Sequence, residues 1–101
     1  MSNVIVLAKI TAQEGKRDEL IEGMGPMMEH VESEAGTLQY ILSKDANDDN
    51  VAWMYEVYAD QASFEAHGSS DAMKALGAAI GPFLAGRPEL IFLSPVRGKG
   101  L

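Results

Sequence analysis

In the stretch YEVYADQASFEAH, Tyr55 to His67, Glu56 inside a greasy strand and His67 just beyond it have side chains suited to moving a proton. An imidazole titrates near neutrality, and a carboxylate can orient it or share its charge. In an extended chain Trp53, Tyr55 and Val57 share one face, and Ala52, Met54, Glu56 and Tyr58 share the other. Both faces read as buried, so Glu56 must be paired, hydrogen-bonded, or raised in pKa. His67 follows Phe64 by one helical turn, so both project to the same side of a short helix. At the C-terminal end of that helix the dipole favours a protonated imidazole. The plain structural alternative has Glu56 accepting from backbone or a tyrosine hydroxyl and His67 capping carbonyls. Spacing alone favours that alternative, because structural networks also perturb pKa values.

Other candidates are weaker. DANDDN (Asp45 to Asn50) followed by Glu56 places oxygen ligands as in a calcium-binding loop. Asn50 stands where the sharp turn needs glycine, and strand-like sequence follows, so an acidic hairpin tip is the better reading. No metal site is expected. His30 lies among Glu29, Glu32 and Glu34 and reads as a solvated surface residue. Met24, Met27, Met28 and Met73 fit a core, and their pliable side chains could also wall a pocket for flat apolar molecules.

The elements that must position these residues follow from hydrophobic period. Val4 to Ile10 is a strand. Leu20, Met24, Met27, Met28, Val31 and Ala35 recur at helical spacing, with Gly25-Pro26 expected to interrupt the helix, kinking or locally loosening it, and Gly36 to stop it. Thr37 to Ser43 and Val51 to Tyr58 form a hairpin around the polar loop. Asp60 caps a short helix through His67, and Ser70 or Asp71 caps another carrying Met73, Leu76, Ile80 and Phe83. Glu89 to Val96 is the last strand. The order βαββαβ is α+β and ferredoxin-like, a four-stranded antiparallel sheet with both helices on one face.

At 101 residues the chain is one domain, residues 1–101, with no apolar stretch long enough to cross a bilayer. The tail 97–101 is expected to be flexible or to contact a partner subunit. No basic, apolar leader precedes the first strand, and there are no cysteines, so a cytoplasmic protein without disulfides or thiolate chemistry is expected. A net charge of −7 disfavours nucleic acid and anionic membranes as partners. VIVLA and LIFL are apolar on both sides, and WMYEVY carries large groups on both. A sheet with helices on one face only would then leave an apolar face bare, so a homodimer through the sheet face is expected.

The chain resembles the antibiotic biosynthesis monooxygenase (ABM) family of dimeric ferredoxin-like α/β-barrel proteins, in which two such sheets pack together. EAGTLQY (Glu34 to Tyr40) and the spaced run Glu56, Tyr58, Asp60, Phe64, His67 carry the resemblance most specifically. It implies a cofactor-independent monooxygenase that oxidises a small quinol, phenolic or enolisable aromatic substrate with O2. The family-matching residue for proton transfer or substrate orientation is His67. The resemblance suggests Tyr40, Trp53, Tyr55, Glu56 and Phe64 as substrate-binding candidates, with no cofactor. Ala72 stands where quinol-oxidising relatives carry a second histidine, so a histidine-pair mechanism is not expected. Leu7, His67 and Gly77 replace the residues of the heme-degrading branch, and Gly77 cannot ligate iron. An isomerase of a small enolisable carbonyl compound is the main enzymatic alternative, since enolisation also starts with proton removal. A non-catalytic dimeric ligand-binding protein is the third.

Overall fold

The computed structural model describes residues 3–101; Met1 and Ser2, the start of the expected domain, lie outside the described residues. Four strands, β1 (Val4–Thr11), β2 (Thr37–Lys44), β3 (Val51–Tyr58) and β4 (Glu89–Leu93), form one antiparallel sheet in the order β2-β3-β1-β4. The helices are α1 (Arg17–Gly23), α2 (Gly25–His30), α3 (Gln61–Gly68) and α4 (Asp71–Ile80), with single 3-10 turns at Val31–Ser33 and Gly81–Phe83. This is the expected ferredoxin-like α+β arrangement. No helix among the described residues is long and apolar enough to cross a membrane.

The first helical segment is two helices rather than one kinked helix. Pro26 sits in the first turn of α2, where its missing N–H costs nothing, and so it opens a new helix after Met24. Leu20, Met24, Met27 and Val31 still share one buried face, whereas Ala35 lies beyond the helices and is exposed. The last strand pairs only from Glu89 to Leu93, and the remaining expected residues, Ser94 to Val96, lie outside the ladder. Pro95 lacks the N–H a ladder would need.

Side-chain alternation divides the sheet into two faces. Val6, Ala8 and Ile10 of β1 and Met54 of β3 enter the core with Leu20, Met24, Met27, Leu76 and Ile80. The opposite face carries no helix. Ile41, Tyr55, Leu7 and Ile91 lie side by side across all four strands there. Ile41 and Ile91 are nearly half exposed. The pattern is apolar where water would ordinarily demand polar residues.

Two local devices set the approach of α3 to the sheet. Asp60 caps α3 as expected, its carboxylate accepting from the Ser63 amide at 2.8 Å and the Ser63 hydroxyl at 2.7 Å. Gly36, in the turn before β2, faces that same Ser63: a Cβ at position 36 would stand 2.2 Å from its hydroxyl oxygen. Only glycine allows the two segments to meet this closely. The Ala59 amide donates to the Gly36 carbonyl at 2.9 Å and holds the two together.

Candidate functional site

β3 reaches the helix-facing side of the sheet with Glu56 and then Tyr58, and both are buried. Their positions follow from strand period, and burial obliges them to pair. The Tyr58 hydroxyl donates to Glu56 Oε1 at 2.5 Å. Tyr40 of β2 lies directly across from Glu56 in the ladder, and Val6 of β1 lies on its other side. Above them α3 lowers Phe64 and His67 onto the sheet. Phe64 packs edge-on against Tyr58 and against Phe92 of β4, each at 5.4 Å between ring centroids. The His67 ring stands 5.1 Å from Tyr40 and 5.4 Å from Tyr58.

Val6, Tyr40, Glu56, Phe64 and His67 help wall a cavity of about 450 Å³ between the sheet and the helices. Its surface is otherwise apolar: Val6, Ala8 and Met54 belong to the sheet, and Met24, Met73, Leu76 and Ile80 to the helices. Arg87, Pro88 and Leu90 also border it. The size and lining suit a small flat molecule held by a few polar groups. A second, polar groove lies between the β1–α1 loop and the hairpin tip, lined in part by Arg17, Asp18, Lys44 and Asp49. There the Arg17 guanidinium donates to the Asp45, Asp48 and Val51 carbonyls, and Lys44 pairs with Asp18 at 3.3 Å. Arg17, Lys44 and Asp18 are thus occupied in fastening the hairpin.

His67 is only 2% exposed, and its two ring nitrogens have different surroundings. Nδ1 lies 2.8 Å from Glu34 Oε1. Nε2 is buried with no hydrogen-bond partner among the described residues. Glu34 also accepts from the Thr37 hydroxyl at 2.8 Å, and its second oxygen lies 3.1 Å from His30 Nε2. His30 is therefore paired with Glu34 at the edge of this network rather than simply solvated.

The two carboxylates are shifted in opposite directions. Burial pushes Glu34 up, but His67, Thr37 and His30 together outweigh it and leave its pKa below the ordinary carboxylate value. Burial dominates at Glu56 and raises its pKa, against the lowering effects of the Tyr58 hydrogen bond and His67. Tyr40 and Tyr58 are both raised, chiefly by burial and then by neighbouring carboxylates, so both phenols stay protonated at neutral pH.

Of the residues singled out in the sequence, His67, Tyr40, Glu56 and Phe64 meet at this cavity. Trp53 and Tyr55 do not. Alternation along β3 turns them to the other face of the sheet, where Tyr55 is exposed and the Trp53 indole donates to Asp45 Oδ2 at 2.8 Å. They are corrected from cavity residues to residues of the open face. Glu34 and Tyr58 enter the site without having been assigned a role in it. The inward parity of Tyr58 with Glu56 could have indicated Tyr58; Glu34, thirty-three residues from His67, had only its place in EAGTLQY to mark it. Among the described residues no three His, Asp or Glu side chains gather as a metal site would require.

A ferredoxin-like sheet roofed by helices over an apolar cavity with one buried histidine defines a recognisable class of small α+β protein. Residues 3–79 match the antibiotic biosynthesis monooxygenase family, and the chain belongs to that family. The structure is similar to that of a family protein from Caulobacter crescentus CB15, at 31% identity and a TM-score of 0.89, covering 95% of this chain and 92% of that one. A family protein from Chloroflexus aurantiacus J-10-fl is similar at 29% identity and a TM-score of 0.80 over 98% of both chains. A Mycobacterium tuberculosis protein shares the fold at 22% identity and a TM-score of 0.87, over 98% of this chain and 100% of its own. No curated protein matches the sequence.

The raised pKa of Glu56 has a consequence for stability. Between the ordinary value of 4.5 and its higher folded value, the folded state holds a proton that the unfolded state has lost. That contribution is fully present below 4.5 and is lost as pH rises through the folded pKa. Glutamine at this position can still accept from Tyr58 but cannot ionise. Urea midpoints measured from pH 4 to pH 7 are expected to move in favour of Glu56→Gln relative to the parent as pH rises. The Glu34 contribution has the opposite sign, being lost as pH falls below 4.5, and is common to both proteins.

Proposed function

We propose that the protein is a cofactor-independent monooxygenase that uses O2 to oxidise a small quinol, phenol or enolisable aromatic compound in the cavity beneath its helices. The observation that carries this reading is the buried, unpartnered Nε2 of His67 in a residue that walls an apolar cavity. A substrate hydroxyl or acidic C–H gives its proton to Nε2, and the Tyr40 hydroxyl, kept protonated by burial, donates to the oxyanion that forms. The resulting anion is electron-rich enough to reduce O2. The new C–O bond gives a peroxide anion, which His67 protonates to the hydroperoxide; loss of the hydrogen on the same carbon together with hydroxide then releases water and leaves a carbonyl. One oxygen atom thus ends on carbon and the other in water, with both electrons supplied by the substrate. Exclusion of water by the methionine and aliphatic lining protects the reactive pair.

A second reading is favoured by Glu56, whose pKa is raised while it shares the cavity with His67. A carboxyl group and an imidazole can together move a proton between two carbons, so isomerisation of an enolisable carbonyl compound uses the same groups. A ligand-binding role without turnover uses the cavity alone.

Metal-free protein offered hydroquinones and anthrones is expected to consume O2 and yield quinone products, with His67→Ala lowering kcat by about 10²- to 10⁴-fold. Uptake unchanged in His67→Ala contradicts the role given to this residue. Isomer formation without O2 use favours the second reading, and binding without turnover favours the third.

We further infer that a second copy covers the open sheet face, forming a dimeric α/β barrel. The apolar row Ile41, Tyr55, Leu7 and Ile91 supports this, because water is a poor neighbour for such a surface. Sedimentation at micromolar concentration is expected to give a dimer, and a stable monomer there contradicts the inference.

A further inference from the structure

We infer that Glu34 is the positioning residue of the site: its carboxylate holds His67 as the Nδ1–H tautomer and thereby makes Nε2 the proton acceptor. This rests on the reading of His67 as the base.

A neutral imidazole has one N–H and one lone pair, and an ionised carboxylate can only accept. At 2.8 Å from Glu34 Oε1, Nδ1 must therefore carry the hydrogen, which leaves the lone pair on Nε2. An imidazole serving only to fasten α3 to the chain before β2 would gain nothing from burying its second nitrogen unpartnered. That burial carries a desolvation cost. The lone pair on Nε2 stays unengaged in a ring that borders the cavity, free to accept a proton from a substrate that reaches it.

Glu34 is itself over-determined. The Thr37 hydroxyl donates to Oε1, while His30 holds Oε2. The Glu34 amide donates to the Val31 carbonyl, and the Glu34 carbonyl accepts from the Thr37 amide, closing a tight turn around Gly36. Gly36 in turn abuts Ser63 at the start of the helix that carries His67. Carboxylate and imidazole thus come from two segments whose separation is set by one glycine contact and one helix cap. The remaining ionisable groups facing the pair are His30 from α2, Tyr40 from β2, and Glu56 and Tyr58 from β3. Glu56 is not placed for the orienting role: its Oε1 accepts from Tyr58, and the hydrogen bond to the His67 ring comes from Glu34.

Two-bond ¹H–¹⁵N correlation spectra of the intact protein read the tautomer directly, without turnover. The parent is expected to show a protonated Nδ1 and an unprotonated Nε2 at His67 near neutral pH. Glu34→Ala is expected to shift the ring toward Nε2–H, and Glu34→Asp to restore part of the parent pattern. With a hydroquinone as probe, Glu34→Ala is expected to lower kcat by about 10²-fold at nearly unchanged KM, with partial recovery in Glu34→Asp. An Nε2–H tautomer in the parent overturns the inference and needs no variant to fold. So does an unchanged Nδ1–H signal in Glu34→Ala. If the tautomer is as expected but His67→Ala oxidises hydroquinone normally, the proposed oxygenase mechanism fails while the positioning by Glu34 stands.

Discussion

A polar group shut into a dry layer must find a partner inside the protein, and the layer between this sheet and its helices contains several such groups. Strand period sends Glu56 and Tyr58 into it, and α3 adds His67. Tyr58 satisfies one oxygen of Glu56, and Glu34 satisfies one nitrogen of His67. The pairing stops one partner short. Nε2 of His67 is left without a hydrogen bond in a ring that borders a cavity of about 450 Å³. The electrostatics of the site and its candidate chemistry depend on that incomplete pairing.

The scaffold supplies the accuracy such an arrangement requires. The Asp60 cap fixes the first turn of α3, and Gly36 lets the chain before β2 settle against Ser63. A larger residue at position 36 would push the Glu34 turn away from the helix bearing His67. On the far side of the cavity, α4 presents Leu76 and Ile80 inward from a start capped by the Ser70 hydroxyl, which accepts from the Met73 amide at 3.1 Å. The opposite shifts of Glu34 and Glu56 follow from the same geometry. One carboxylate has three hydrogen-bonding neighbours at the edge of the core, and the other lies deep in it with one.

Much of the fold was legible in local sequence. Strand period assigned the two faces of residues 51–58 although both carry large side chains, and Asp60 and Ser70 announce their helices by capping chemistry. Gly25-Pro26 marked a break, although proline's fitness for a first helical turn made it a new start rather than a bend. Legibility failed where the site is assembled over long range. Trp53 and Tyr55 attracted attention as aromatics near Glu56, yet adjacent strand positions point to opposite faces. The separating rule was present in the sequence and was outweighed by residue type. Glu34 offered no local cue to its partner, since nothing in helical or strand spacing links it to His67. Only the turn at Gly36, packed on the α3 cap, brings them together.

The central claim is that the cavity ionises a hydroxylated aromatic ring by transferring its proton to His67. The direct measurement is the anaerobic ultraviolet difference spectrum of a bound phenolic probe at a pH below the probe's own pKa. The account predicts a red-shifted phenolate band with the parent protein and its absence with His67→Ala. A bound probe that keeps the spectrum of the neutral phenol in the parent protein would contradict it.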